Sequence, residues 1–208
     1  MGDWSLEPLQ RALERFYGLE PAPNVDDFIQ LGDDGERESL LVRYHEAENA
    51  LELQLRLPKA VTELERQVRW PGPNDARRRR PRVPSDTLAQ VVEGVSHFVL
   101  LGERARVELP TTELELELQA EVDKFVFFAW PFDLSCESRE LHAQLFSSIR
   151  YLQGPGSERG ARYRLANRLA AKYTDALLRR TPRAEVRRQL RRFFRAGQTD
   201  KIRIVLAA

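Results

Sequence analysis

Leu40-Leu41-Val42-Arg43-Tyr44-His45 and Leu51-Glu52-Leu53-Gln54-Leu55-Arg56-Leu57 are the two runs that decide the architecture of this chain. In the first, Leu40, Val42 and Tyr44 alternate with Leu41, Arg43 and His45; in the second, every other residue is leucine. Period two over both runs, interrupted by Glu46-Ala47-Glu48-Asn49, predicts a β-hairpin with one buried face. A weaker strand is expected over Asp27 to Leu31, closed by the turn residues Gly32-Asp33-Asp34-Gly35. A lone hairpin is marginal in water, so this small antiparallel sheet needs cover. Upstream, Leu6, Leu9, Leu13 and Phe16 recur at helical spacing, with Ser5 as cap, Pro8 in the first turn and Gly18 as stop. That helix, joined by Val61 to Trp70, is expected to supply the cover.

Downstream the pattern changes. Pro71 to Pro84 carries four prolines, Gly72 and Arg77-Arg78-Arg79-Arg80, a composition that predicts an exposed loop and an internal boundary. The remainder reads as helices. Ser85 caps the first, whose Leu88, Val91, Val92, Val95, Phe98 and Val99 make a broad apolar face. Thr112 and Glu115 stand in capping-box spacing at the start of the next. Leu114, Leu116 and Leu118 also alternate like a strand, but Leu, Glu, Gln and Ala are strong helix formers and the helix is preferred. Further helices are expected over Glu137 to Leu152, Ser157 to Arg180, and from Pro182 onward with Val186, Leu190, Phe193 and Phe194 as a seam. The tail Ile202 to Leu206 is too short to classify. The expectation is an α+β protein: residues 1–70 a small module, 71–84 a Pro/Arg-rich loop, and 85–208 a helical bundle packed on the module.

Composition bounds the class. With 208 residues, 42% hydrophobic and 31% charged, the chain is globular and long enough for a substantial core. Cys136 is the only cysteine, which excludes an intrachain disulfide or a four-thiolate zinc site and points to a reducing, cytoplasmic compartment. The start Met1-Gly2-Asp3-Trp4 lacks signal-peptide character, and no apolar run approaches the ~20 residues of a membrane span.

Charge is sorted by position beneath a net +1. Of 33 basic and 32 acidic residues, 15 and 4 lie in Tyr151 to Ala208, leaving 18 and 28 upstream. Only four of the basic residues are lysine, a skew that fits either phosphate recognition by arginine or a GC-rich coding sequence, the second being the plainer cause. Such polarity means either internal docking or presentation to an external partner of opposite sign.

Catalytic signatures are absent: no P-loop, no His-Glu-x-x-His, no Cys-x-x-Cys, and Gly94-Val95-Ser96-His97-Phe98 fails as a nucleophile elbow at its fifth position. One polar constellation stands out. Glu93 and His97 are spaced i, i+4, as are Glu117 and Glu121 on the following helix, a set of carboxylates and an imidazole that would serve as a metal or proton-transfer cluster if it converged. On the helical wheel, however, His97 lies opposite its helix's apolar face, where an exposed Glu-His pair is the expectation. His45 and His142 read as solvated or structural. Gly154 to Gly160 precedes a helix and has Arg162 and Arg164 beyond it, but matches no nucleotide fingerprint and reads as a connection.

The basic helices give the clearest surface signal. Arg159, Arg162, Arg164, Arg168 and Lys172, then Arg187, Arg188, Arg191, Arg192 and Arg195, form stripes beside apolar seams. The upstream strip Glu113, Glu115, Glu117, Glu121 and Asp123 is the expected internal counter-charge. The functional expectation is a non-catalytic cytoplasmic adaptor that binds an unidentified protein partner through a helical surface, without a cofactor. Nucleic-acid binding through the basic helices and the Arg77–Arg80 loop is the second reading; a metal-dependent enzyme built on Glu93, His97, Glu117 and Glu121 is the third. The sequence sets no oligomeric state.

Overall fold

The computed structural model describes residues 5–33, 37–45, 50–64, 85–129, 136–147, 154, 156–181 and 183–208. The expected Pro71–Pro84 loop with its arginine run lies outside them, as do residues 65–70 and 148–152 of two expected helices. The contacts divide the chain into two compact units.

The first unit begins with α1, Glu7–Tyr17, which buries Leu6, Leu9, Leu13 and Tyr17 and ends at Gly18 in the left-handed conformation (φ 68°). Phe16, expected in the seam, is half-buried, and Tyr17 takes that place. Ser5 accepts from the Glu7 amide and donates to Asp26, whose carboxylate also accepts from Leu6 N at 2.7 Å. The start of α1 is thus satisfied by a residue twenty positions away as well as by its neighbour. On the other side of the helix, Gln10 and Glu14 collect the returning chain: Val25 N donates to Gln10 Oε1 at 2.8 Å and Ala22 N to Glu14 Oε1 at 3.0 Å.

A single 3-10 turn, Val25–Phe28, leads into β1, Ile29–Leu31. β2, Ser39–His45, and β3, Ala50–Leu57, form the expected hairpin, with Leu40 opposite Leu55 and Val42 opposite Leu53. The strand order is β1-β3-β2, and β1 pairs with β3 in parallel. The sheet is therefore mixed where an antiparallel one was expected, because β1 joins the far side of β3 and not the hairpin's open edge. α2, Val61–Leu64, follows.

α3, Asp86–Arg106, packs on α1, α2, β2 and β3. Its cap is the expected one: Ser85 Oγ accepts from Leu88 N at 3.2 Å. Val91, Val92, Val95 and Phe98 are buried, and Phe98 meets Phe28 with ring centroids 5.1 Å apart. Sequence reasoning placed residues 85–208 together, but the contacts group α3 with the N-terminal residues. The apolar face of α3 lies on the sheet that needed cover. The helix closes through Glu108 in the left-handed region (φ 54°), with Leu109 N donating to Arg104 O.

The second unit comprises α4 (Glu113–Ala129), α5 (Cys136–Ser147), α6 (Glu158–Arg180), α7 (Arg183–Arg195) and α8 (Gln198–Ala207). α4 is a helix, as the cap implied: Glu115 N donates to Thr112 Oγ1 at 3.1 Å, and that hydroxyl donates to Gln198. It is buried round most of its circumference, which is why its leucines mimic a strand pattern without following a clean helical stripe. α4 packs on α5 and α6, α5 on α6, and α6 on α8. The unclassified tail is helical, since Lys201 and Val205, one turn apart, are both fully buried. No described helix is long and apolar enough to cross a membrane.

Gly94 is the point of closest approach between α3 and the sheet. A Cβ there would lie 2.8 Å from Leu55 Cδ1 and 3.0 Å from Glu38 Cγ, both in buried residues, whereas one at Gly102 on the same helix would meet nothing within 4 Å. Ala is favoured over Gly in a helix by about 1 kcal/mol, and overpacking costs about 1–3 kcal/mol. Gly102→Ala should therefore stabilise the protein by up to ~1 kcal/mol and Gly94→Ala destabilise it by about that much. Urea unfolding of the two variants measures the difference; equal stabilisation would show that the sheet does not press on α3.

Candidate functional site

The candidate residues fall into distinct environments. Glu93 and His97 stand one turn apart on α3 in the first unit, with a carboxylate oxygen and a ring nitrogen within 4.8 Å. Glu117 and Glu121 stand on α4 in the second. The expected cluster therefore draws two residues from each unit. Glu121 accepts from Lys124 Nζ at 2.7 Å on its own helix, and Glu117 is buried.

His97 overturns the expectation of a solvated pair: it is 6% exposed, and Gln90 and Arg104 on the same face are also buried. Its Nδ1 lies 3.3 Å from Glu38 Oε1. The Glu38 amide in turn donates to Gln90 Oε1 at 3.0 Å, and Gln90 Nε2 donates to Asp86 Oδ2 at 2.9 Å. Arg37 reaches the same Asp86 oxygen at 3.3 Å. A run of polar groups thus extends from the surface at Asp86 to the buried imidazole, fastening the segment before β2 onto α3. Sequence reasoning missed Glu38 because it belongs to no periodic pattern and its partner lies 59 residues away. Buried polar groups need partners, and both the carboxylate and the amide of Glu38 find theirs on α3.

The histidines set aside in the sequence are structural or solvated. His45 on the outward face of β2 lies 3.0 Å from Glu52 Oε2, and this hydrogen bond is the main cause of a lowered Glu52 pKa. His142 on α5 sits between Phe125 and Phe146, its Nε2 3.1 Å from Ala171 O and 3.0 Å from Thr174 Oγ1. A carbonyl only accepts, so Nε2 carries the proton. Burial is the main cause of its lowered pKa, partly opposed by the bond to Ala171.

The basic stripes split between two roles. On α6, Arg162 pairs with Glu113 of α4 at 2.6 Å. Arg164 turns back to Gly160 O at 2.8 Å, and Lys172 Nζ donates to Leu206 O near the end of α8 at 3.2 Å, where a helix C-terminus favours a cation. Arg159 lies over the Tyr163 ring at 5.6 Å, and Arg168 is exposed. At the start of this helix Ser157 Oγ accepts from Gly160 N and donates to Gly154 O. The acidic strip of α4 is not one surface. Glu113 is exposed, whereas Glu115 and Asp123 are buried, with Asp123 accepting from Gln119 at 2.9 Å.

α7 is different. Val186, Leu190, Phe193 and Phe194 are fully buried, and Tyr173 stacks on Phe193 with centroids 4.3 Å apart. Tyr173 OH donates to Gln189 O at 3.1 Å, and burial raises its pKa well beyond the usual tyrosine range. Behind the same seam Lys201, fully buried, lies 4.7 Å from the Phe193 centroid and donates to Gln119. With that face anchored, Arg187, Arg188, Arg192 and Arg195 project as exposed residues and Arg191 is half-buried. At 100° per residue these arginines occupy a continuous arc of about 140°. Arg188 pairs with Glu185 one turn back. Arg191 has a lowered pKa, first from desolvation and then from the like charges of Arg187 and Arg195. The chain matches no protein-family model, no curated protein and no solved structure.

The His142 pKa fixes the sign of one pH effect. Its folded value lies below the ordinary 6.5, so the unfolded chain binds the proton more tightly and stability falls as pH drops through that range. The His142 ring resonances should titrate below 6.5, and the urea midpoint should decline on acidification from neutral. His142→Gln should flatten that part of the decline; an unchanged pH profile would show that the imidazole is not the group responsible.

Proposed function

We propose that this chain is a non-catalytic binding protein of the adaptor kind, which engages an acidic protein surface through the arginine arc of α7. One observation carries the reading: Arg187, Arg188, Arg191, Arg192 and Arg195 share one side of a helix whose opposite side is locked into the core. Guanidinium forks on a rigid element suit carboxylates, because little side-chain order is lost per hydrogen bond formed. From Arg187 to Arg195 the arc extends about 12 Å along the axis, the length of roughly two turns of an acidic helix. A cytoplasmic setting is part of the same proposal, supported by the single cysteine.

Duplex nucleic acid is the second reading, favoured by the four-residue recurrence of the arginines. The aromatic side chains nearest the arc, Phe193, Phe194 and Tyr173, are all in the core, so α7 offers no platform for stacking single-stranded bases.

Titration of the full chain with a polyglutamate peptide and with a duplex oligonucleotide, at low and moderate salt, separates these readings. The acidic peptide should bind at low salt, and Arg187→Glu, Arg191→Glu and Arg195→Glu combined should weaken it by more than ~10-fold, since like charges then face one another. Binding of the duplex alone, with a steep salt slope, would transfer the surface to nucleic acid. Binding of neither probe would end the proposal.

A further inference from the structure

Among the described residues, β2 is an edge strand that pairs with a strand on one side only. The sheet order β1-β3-β2 puts it on the margin, and Leu41, Val42, Arg43, Tyr44 and His45 are consecutive exposed residues. Leu41 is 38%, Val42 45% and Tyr44 59% exposed, so apolar side chains on both faces of the strand reach solvent. Towards the other end of the hairpin the same face as Val42 is closed, with Leu55 and Leu57 fully buried under the helices of the first unit.

Edge strands in monomers are normally guarded by lysine, proline, a bulge or an inward charge. Ser39–His45 contains neither proline nor lysine. Its register with β3 runs without interruption from Ser39 opposite Arg56 to His45 opposite Ala50, so no bulge twists the edge away. The one permanent charge, Arg43, is directed to Glu52 of β3 at 3.8 Å, on the outward face. Nothing in the strand opposes a further strand.

We propose that β2 pairs antiparallel with β2 of a second copy of this chain, about a two-fold axis at Val42, joining two three-stranded sheets into one. The sequence of the strand is self-complementary in that register. Val42 meets Val42 of the second copy, Leu40 meets Tyr44, Leu41 meets Arg43 and Ser39 meets His45. No like charges stand opposite each other, and the half-exposed apolar side chains of each copy become the cross-strand neighbours of the other. Such a pairing is isologous and uses the same edge on both copies, so it closes at two and leaves no β2 edge for further growth. An unrelated strand would have no reason to match this pattern of residues. The inference is independent of the arginine arc and stands or falls without it.

The test is the mass of the full chain in solution by sedimentation equilibrium. The wild type should shift from monomer to dimer within the micromolar range, up to about 200 μM, as expected of a small interface. Val42→Lys and Val42→Glu should each be monomeric, because like charges meet at the axis, and an equimolar mixture of the two should form the dimer again. A wild type that stays monomeric throughout, variants that dimerise as the wild type does, or a mixture that stays monomeric would each overturn the pairing. Should either variant lose its fold by circular dichroism, amide exchange on the wild type decides. Protection over residues 40–44 should rise with concentration, and protection independent of concentration would refute the proposal.

Discussion

The first unit depends on how closely a helix can lie on a strand. At Gly94 there is no side chain between α3 and β3, and the buried Leu55, Leu57 and Glu38 occupy the space that a Cβ would claim. That approach lets α3 cover a sheet of only three strands, one of them three residues long. It also brings Glu38 within reach of His97 and Gln90. Apolar closure and the buried polar network are thus consequences of one contact: Glu38 is buried along with the leucines of the sheet, and α3 supplies His97 to its carboxylate and Gln90 to its backbone N–H.

The second unit solves a related problem with cations. Its excess of cations sits on α6 and α7, and the buried seam of α7 fixes where the arginines of that helix can go. Phe193 stacks on the ring of Tyr173 and lies close to the ammonium of Lys201, contacts that anchor this face of α7 in the core. Lysine, scarce in this chain, is used where a compact charge can be enclosed among aromatic rings and an amide. On α7 the surface residue is arginine, whose planar fork suits the carboxylate binding we propose. On α6, Arg162 is bonded to Glu113, and Arg164 and Lys172 to the carbonyls of Gly160 and Leu206. Two neighbouring helices of similar composition therefore present different surfaces.

Much of the local structure could be read directly. The alternation at Leu40 to Leu57 specified the hairpin and its register face, Ser85 and Thr112 marked helix starts, and Gly18 marked a stop. Each is a short-range effect, in which a backbone group is satisfied within a few residues. What escaped were the relations over longer distance. The parallel pairing of β1, the assignment of α3 to the N-terminal unit and the burial of His97 all depend on segments tens of residues apart, and a helical wheel cannot show that a helix is covered on its polar side as well.

The amino-acid sequence by itself determined the hairpin and most of the helices, the α+β class and the concentration of positive charge toward the C-terminus, because propensity, capping and periodicity act locally along the chain. Only the tertiary structure decided how deeply each arginine is buried, and which residues of the hairpin are exposed. Those outcomes are set by what packs opposite each residue, and the identity of that neighbour is a property of the fold.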